Sequence, residues 1–317
     1  MNKICLIGFG NIGFRYFEAI FKLKNKFVFY VIDINNSFKK GYEYLKKNKI
    51  KKKVFFLKNL SEIDTKKFDL VIIATTCNGR LRLIEEVKKS FTFKNIIIEK
   101  PITQSENELV KLKKILPKNS WINSPKKNFK IYKDIKKKIN LKNKIEMTVK
   151  GNSWGICCNS LHFIELFNFF CKKKITKIQE TKTLKWIENK RKGFFDLDDG
   201  EIKITYNNNL LFLNSSKNND LKKWNLKVEI INGKKKWEIF EKDNFIIQNY
   251  NKKKTSHYLP YISEYMVEII SYILNKNYKK IYIPNFASSY ILFKPTIRFF
   301  LKKWRIKHKK ALTTPIT

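Results

Sequence analysis

The chain has 317 residues and carries 68 Lys+Arg against 27 Asp+Glu, a formal net charge of +41, while 43% of it is hydrophobic and 15% aromatic. That apolar content excludes a disordered polyelectrolyte, and the length suits two domains that each bury a core. The charge invites a nucleic-acid reading, but only 6 of the 68 basic residues are Arg, while Asn occurs 33 times and Ala 4. Lys, Asn, Ile, Phe and Tyr have A/T-rich codons, so this composition reads as codon bias. Evolved phosphate or base readout recruits the planar fork of Arg instead. No specific nucleic-acid partner is expected, only salt-sensitive attraction to anions.

The five cysteines, Cys5, Cys77, Cys157, Cys158 and Cys171, are odd in number and lack a CxxC spacing. Neither a disulfide framework nor a metal site is expected. Met1-Asn2-Lys3 runs at once into an apolar strand without the features of a signal peptide. No apolar run approaches the roughly 18–20 residues of a membrane span. The expectation is a soluble protein of a reducing cytoplasm.

In chain order, Ile4 to Ile7 is a buried strand, followed by a glycine turn and a helical stretch from Phe14 to Lys24. Phe27–Ile32 is a second strand, Ser37–Lys47 a helix and Val54–Leu57 a third strand. Leu70–Ala74 and Asn95–Ile98 are a fourth and fifth strand, flanking a helix through Leu81, Ile84 and Val87. Strands apolar on both faces and alternating with helices predict a parallel, doubly wound α/β sheet. A helix with a capping-box-like start at Ser105 ends before Pro117, and a boundary is expected near residues 118–125. Beyond it, β-rich stretches at Ile145–Val149, Ile178–Trp186, Glu201–Tyr206, Leu210–Asn214, Leu226–Ile231 and Trp237–Phe240 predict an open antiparallel or mixed sheet. Asn207-Asn208-Asn209 and Asn232-Gly233 read as hairpin turns. Helices Leu161–Cys171, Ile262–Leu274 and Ala287–Trp304 are expected to cover one face of that sheet. The division is thus a Rossmann domain over 1–122 and an α+β domain over 123–317.

Gly8-Phe9-Gly10-Asn11-Ile12-Gly13 is a GxGxxG turn between a strand and a helix. Its glycines permit a tight turn (Gly8), close approach of a pyrophosphate (Gly10) and helix–strand packing (Gly13). The N–H groups of the helix start, around Asn11 and Ile12, then face the phosphates. Asp33 ends the second strand twenty residues after Gly13, where a carboxylate accepts the ribose hydroxyls. It favours NAD over NADP, because it repels a 2′-phosphate, although Lys39 and Lys40 lie close by in sequence. At the carboxyl end of the fifth strand stands Glu99-Lys100-Pro101, where a lysine can serve as proton donor or acceptor, or merely pair with Glu99.

Gly8–Gly13 with Asp33, Ala74-Thr75 after the fourth strand and Glu99-Lys100-Pro101 together resemble the Gfo/Idh/MocA oxidoreductases, which act on sugars and cyclitols. Asn123-Ser124-Pro125-Lys126-Lys127 and the stretches Gly151–Gly155 and Asn159–Leu166 are similar to a branch found with bacterial surface-glycan and nonulosonic-acid biosynthesis. The resemblance implies NAD bound by the glycine turn, Asp33, Ala74, Thr75, Asn78, Glu99 and Lys100. It implies hydride transfer to or from a sugar or nucleotide-sugar carbon, with Lys100 and His162 in the proton path, and Lys127, Trp154 and Asn159 orienting the substrate. A homo-oligomer is plausible by the same analogy. Two departures stand out. The family's Asp-x-x-x-His helix has Cys158 where the aspartate belongs, which leaves a non-redox, NAD-binding structural or regulatory protein as the alternative. A family histidine after the fourth strand is replaced by Arg80, read as either an anion ligand or a surface residue. Arg191, in the basic turn Lys190–Lys192, is a further candidate for an anionic substrate, against a solvated loop.

Overall fold

The computed structural model describes residues 1–36, 38–217, 225–242, 245–250 and 253–317. In chain order the elements are β1 (Asn2–Ile7), α1 (Asn11–Phe21), β2 (Phe27–Ile32), α2 (Lys39–Lys47), β3 (Val54–Leu57), β4 (Lys67–Phe68), β5 (Leu70–Ile73), α3 (Arg80–Ser90), β6 (Thr92–Phe93), β7 (Ile96–Ile98), α4 (Glu106–Ile115) and β8 (Ser120–Ile122). There follow α5 (Lys130–Lys138), β9 (Ile145–Gly151), α6 (Ile156–Cys171), β10 (Lys177–Lys182), β11 (Lys185–Glu188), β12 (Phe195–Asp198), β13 (Gly200–Tyr206) and β14 (Asn209–Ser215). The chain ends with β15 (Leu226–Asn232), β16 (Lys235–Lys242), β17 (Phe245–Tyr250), β18 (Lys253–Tyr258), α7 (Ile262–Leu274) and α8 (Phe286–Trp304). Ser37, the expected first residue of the second helix, lies outside the described residues. The chain divides into two compact units, one of residues 1–102, 110–123 and 260–286, the other of residues 103–109, 124–259 and 287–317.

The first unit holds a six-stranded sheet in the order β3-β2-β1-β5-β7-β8. Every pairing in it is parallel. This is the doubly wound arrangement that the alternating apolar runs predict, and the strand order reverses between β1 and β5. β2 is buried along its whole length, as a central parallel strand must be. Ser120, Trp121 and Ile122, expected near a boundary, instead pair with Ile96, Ile97 and Ile98 as the sixth strand.

One expectation fails in this unit. α7 was assigned to the C-terminal sheet, but its Met266, Ile269, Ile270 and Ile273 share one core with Tyr16, Phe17 and Ile20 of α1 and with Leu6 and Phe29. Amphipathic spacing shows that a helix buries one face, not which partner it meets. Here the aromatic face of α1 supplies the partner.

The second unit is built on an eight-stranded mixed sheet, β10-β13-β14-β9-β15-β16-β17-β18. β14 and β9 run parallel, and the other pairs are antiparallel. Two-residue turns join Tyr206 to Asn209 and Asn232 to Lys235, at the expected hairpin positions. α6 packs on β9, β12 and β14. Its Phe167 meets Tyr206 edge-on at 5.0 Å. The expected single strand Ile178–Trp186 is broken into β10 and β11. The chain crosses Gly200 there so closely that a Cβ on Gly200 would lie 2.5 Å from the Thr183 carbonyl oxygen. The outer edge strand β18 lacks an apolar signal because it begins Lys253-Lys254-Thr255-Ser256.

Because Ile269 is fully buried where α7 meets the first unit's core, Ile269→Ala is expected to lower the unfolding free energy by about 2–5 kcal/mol. Denaturant titration followed by circular dichroism measures it.

Candidate functional site

Backbone crowding dictates the glycine turn. Gly8 has φ +94°, and a Cβ there would stand 2.8 Å from the Thr75 amide nitrogen and 2.9 Å from the Ala74 carbonyl carbon. A Cβ on Gly13 would stand 2.0 Å from the Gly8 carbonyl oxygen, so α1 can lie against the turn only without a side chain there. Gly10 is different. Its backbone is ordinary (φ −70°, ψ −164°), and among the described residues no atom beyond its chain neighbours lies within 4 Å of where its Cβ would be. None of the described residues requires glycine at position 10. The open space suits a ligand that must approach the backbone itself.

Three further observations fit a dinucleotide at this turn. α1 starts at Asn11 with no side-chain cap and no acidic residue in its first turn, so its amide groups remain for an anion. Asp33 is fixed at the end of β2 by accepting the Phe9 amide at 2.6 Å on Oδ2 and the Asn35 amide at 2.9 Å on Oδ1. A carboxylate oxygen has more than one lone pair, so Asp33 can still accept ribose hydroxyls. The buried Thr75 Oγ1 has no hydrogen-bond partner among the described residues, and a buried hydroxyl is rarely left so. Ala74 is half-buried beside Thr75, while Asn78 is exposed on the turn that leads to α3.

The turn bearing Lys100 is held from two sides. Glu99 accepts the Tyr16 hydroxyl at 2.7 Å and the Asn123 side-chain amide at 2.5 Å. The Tyr265 hydroxyl in turn donates to Asn123 Oδ1 at 2.7 Å. Burial, with the Glu99 charge beside them, holds both tyrosine hydroxyls well above their ordinary pKa. Lys100 itself is half-buried, and its bond to Pro101 is cis.

On the other side stands Arg80, and here the sequence reading is corrected. Arg80 is neither exposed nor placed as an anion ligand; it is 1% exposed. Its Nη1 donates to the carbonyl oxygens of Glu99 (2.5 Å), Pro101 and Ile102 (3.2 Å), and its Nη2 donates to that of Thr75. One guanidinium therefore ties the end of β5 to the Lys100 turn, a role suited to its rigid planar fork.

In the second unit, α6 carries the predicted histidine. It opens at Gly155 (φ +76°), where a Cβ would stand 3.1 Å from Asp196 Oδ2 and 3.3 Å from Asn159 Nδ2. Asp196 Oδ1 accepts the Cys157 amide at 2.7 Å, so a carboxylate from β12 satisfies one of the helix's open donors. Burial pushes the Asp196 carboxyl up to about 6, against the pull of the amides of Cys157 and Leu197. Asp198, on the same side of the strand, accepts Ser153 Oγ at 2.6 Å and Ser215 Oγ at 2.5 Å. These two acids were missed by sequence reasoning. Their signal is Asp196-Leu197-Asp198, a period-two acidic pair in a chain poor in acids.

His162 is half-buried, with Nδ1 3.0 Å from Ser124 Oγ. Asn159 Nδ2 donates to the Trp154 carbonyl oxygen at 2.7 Å, and Trp154 Nε1 donates to that of Asn214 at 2.8 Å. The Trp154 ring meets Phe163 edge-on at 5.4 Å. Lys127 is half-buried, and burial lowers its pKa while the Glu165 charge opposes that shift. Glu165, three residues after His162 on α6, accepts Ser289 Oγ at 2.5 Å, and burial raises its pKa. Arg191 is exposed and donates to Thr317 Oγ1 at 3.0 Å. Among the described residues no cluster of His, Cys, Asp or Glu could hold a metal ion, and no helix is long and apolar enough to cross a membrane.

Residues 2–125 match the model of the Gfo/Idh/MocA oxidoreductase family, NAD-binding Rossmann fold. No curated protein matches the chain. Solved structures share the fold over nearly the whole length. A dehydrogenase from Clostridium difficile superposes with a TM-score of 0.66 at 12% identity, covering 95% of this chain and 99% of its own. An oxidoreductase from Agrobacterium radiobacter, in complex with NAD+, L-tartaric acid and magnesium, gives 0.63 at 14% identity, covering 92% and 93%. The transcriptional regulator Gal80p from Kluyveromyces lactis gives 0.69 at 13% identity, covering 98% and 93%. At these identities the likeness is one of fold. The cofactor of the matched family is NAD, and the glycine turn and Asp33 have the form it requires.

Two outcomes follow. Gly10→Ala is expected to abolish NADH binding while leaving the unliganded protein as stable or up to about 1 kcal/mol more stable; Gly13→Ala is expected to destabilise the unliganded protein. Fluorescence titration with NADH and thermal unfolding separate the two. For Asp196 the folded pKa lies above the ordinary carboxylate value. Its stabilising contribution is therefore full at low pH and is lost as pH rises from the ordinary carboxylate range through about 6. Asp196→Asn keeps the acceptor but cannot ionise, so its unfolding temperature should fall less between pH 4 and pH 8 than the parent's.

Proposed function

We propose that the protein is an NAD-dependent oxidoreductase acting on a carbon of a sugar or sugar derivative, of the kind used in surface-glycan assembly. The observation that carries this reading is the tie between the cofactor turn and Lys100. Arg80 binds the Thr75 carbonyl, next to the amide that crowds Gly8, and the carbonyls on both sides of Lys100. A lysine fixed in this way at the carboxyl end of a strand, in a sheet whose order reverses nearby, lies where α/β folds bind ligands.

Bound NAD(H) supplies or removes the hydride. Lys100 hydrogen-bonds the reacting oxygen and steadies its charge. His162 holds or moves the proton near neutral pH. Trp154 offers a ring face to a sugar, Asn159 orients a hydroxyl, and Lys127 meets an anionic group. The same reading places the protein in a reducing compartment, in keeping with five free cysteines.

Cys158 in the place of the family aspartate, and a fold shared with the transcriptional regulator Gal80p, favour a second reading. In it the protein binds NAD as a structural or regulatory ligand. Tight NADH binding with no turnover across a broad panel of sugars and nucleotide sugars would select it.

Lys100→Met is expected to leave NADH affinity within about threefold of the parent and to lower turnover by at least a hundredfold, in the range of lost acid–base catalysis. Steady-state absorbance at 340 nm with parallel NADH titration checks this, and full activity in the variant would exclude the proposed role of Lys100.

A further inference from the structure

Position 158, one helical turn before His162, is cysteine and carries no acid. The structure supplies a polar partner from outside the helix. Ser124 Oγ lies 3.0 Å from His162 Nδ1, and Ser124 is 1% exposed. This serine begins a short segment that meets α6 at further points. Lys126 Nζ stands 4.7 Å over the Phe163 ring and pairs at 2.5 Å with Glu241, which also accepts the Tyr132 hydroxyl at 2.5 Å. The charges of Lys127 and Glu165 act on each other, and Glu165 is fixed by Ser289. The segment is thus positioned along α6 at residues 162, 163 and 165, and the Ser124 hydroxyl is placed by more than its own hydrogen bond.

We propose that Ser124 is the positioning residue for His162, holding Nδ1 in both protonation states of the ring and so assigning proton exchange to Nε2. This rests on the reading of His162 as the proton carrier. The chemistry follows from the partner's type. With proton exchange at Nε2, Nδ1 keeps its hydrogen in both protonation states of the ring, and the Ser124 hydroxyl accepts from it in both. An ionised carboxylate in the same place would favour the imidazolium through its charge. A neutral acceptor suits a histidine that must give up a proton in one direction of the reaction and take it back in the other.

The chain has three histidines, His162, His257 and His308, so ¹⁵N-histidine labelling yields a spectrum that His257→Gln and His308→Gln assign. In the parent protein without substrate, the two ring-nitrogen shifts of His162 are expected to differ from those of free imidazole. Ser124→Ala should move them toward the free values while the His257 and His308 signals stay in place. Ser124→Thr, which keeps the hydroxyl, should retain the parent's shifts. The proposal is overturned if the parent shows free-imidazole shifts, if Ser124→Ala leaves the His162 shifts unmoved, or if Ser124→Thr shifts them as alanine does. These shifts are read without turnover, so they are independent of the catalytic reading. His162→Gln with undiminished turnover would overturn that reading alone. Where turnover is measured, Ser124→Ala should change the shape of its pH profile, and Ser124→Thr should restore it.

Discussion

The first unit depends on a relay of backbone contacts too close for side chains. Arg80 draws together the carbonyls of Thr75, Glu99, Pro101 and Ile102. The Thr75 amide then presses on Gly8, and the Gly8 carbonyl presses on Gly13 in α1. A shift at any of these points is transmitted to the next, because packed backbone has no flexible side chain to absorb it. The glycine turn and the Lys100 turn are consequently linked through Thr75. Where a cofactor carries the chemistry, a protein's contribution is position. A buried guanidinium is an expensive way to achieve it, since desolvating a cation is unfavourable unless its donors are well satisfied. Four carbonyls accept from its Nη1 and Nη2.

In the second unit the start of α6 is organised by acids on β12. Asp196 caps the helix and Asp198 gathers two serines, all within the loop-and-helix region that carries Trp154, Asn159 and His162. Much of the polar chemistry here is internal. Asn159 and Trp154 each spend a donor on a backbone carbonyl, which fixes their geometry.

The same fold carries enzymes and a transcriptional regulator among its known structures, so architecture does not settle the chemistry. Two contacts mark this chain. Arg80 clamps four backbone carbonyls. Ser124, from another segment, meets His162. The excess of lysine is spread through a chain of otherwise ordinary hydrophobic content.

By itself the sequence determined the parallel sheet, the glycine turn, the placement of Asp33 and Lys100 at strand ends, and the hairpins at Asn207 and Gly233. These rest on local rules: apolar periodicity, the φ that only glycine tolerates easily, and two-residue turns. Only the tertiary structure decided that α7 joins α1, that Arg80 faces carbonyls instead of solvent, that Asp196 caps α6 and that Ser124 meets His162. Each of these joins residues far apart in the chain through a helix face or a hydrogen bond whose partner has no local signature. An amphipathic helix announces that it will be buried, and an arginine that it will donate. Which surface and which acceptors they find is set when the long-range contacts close.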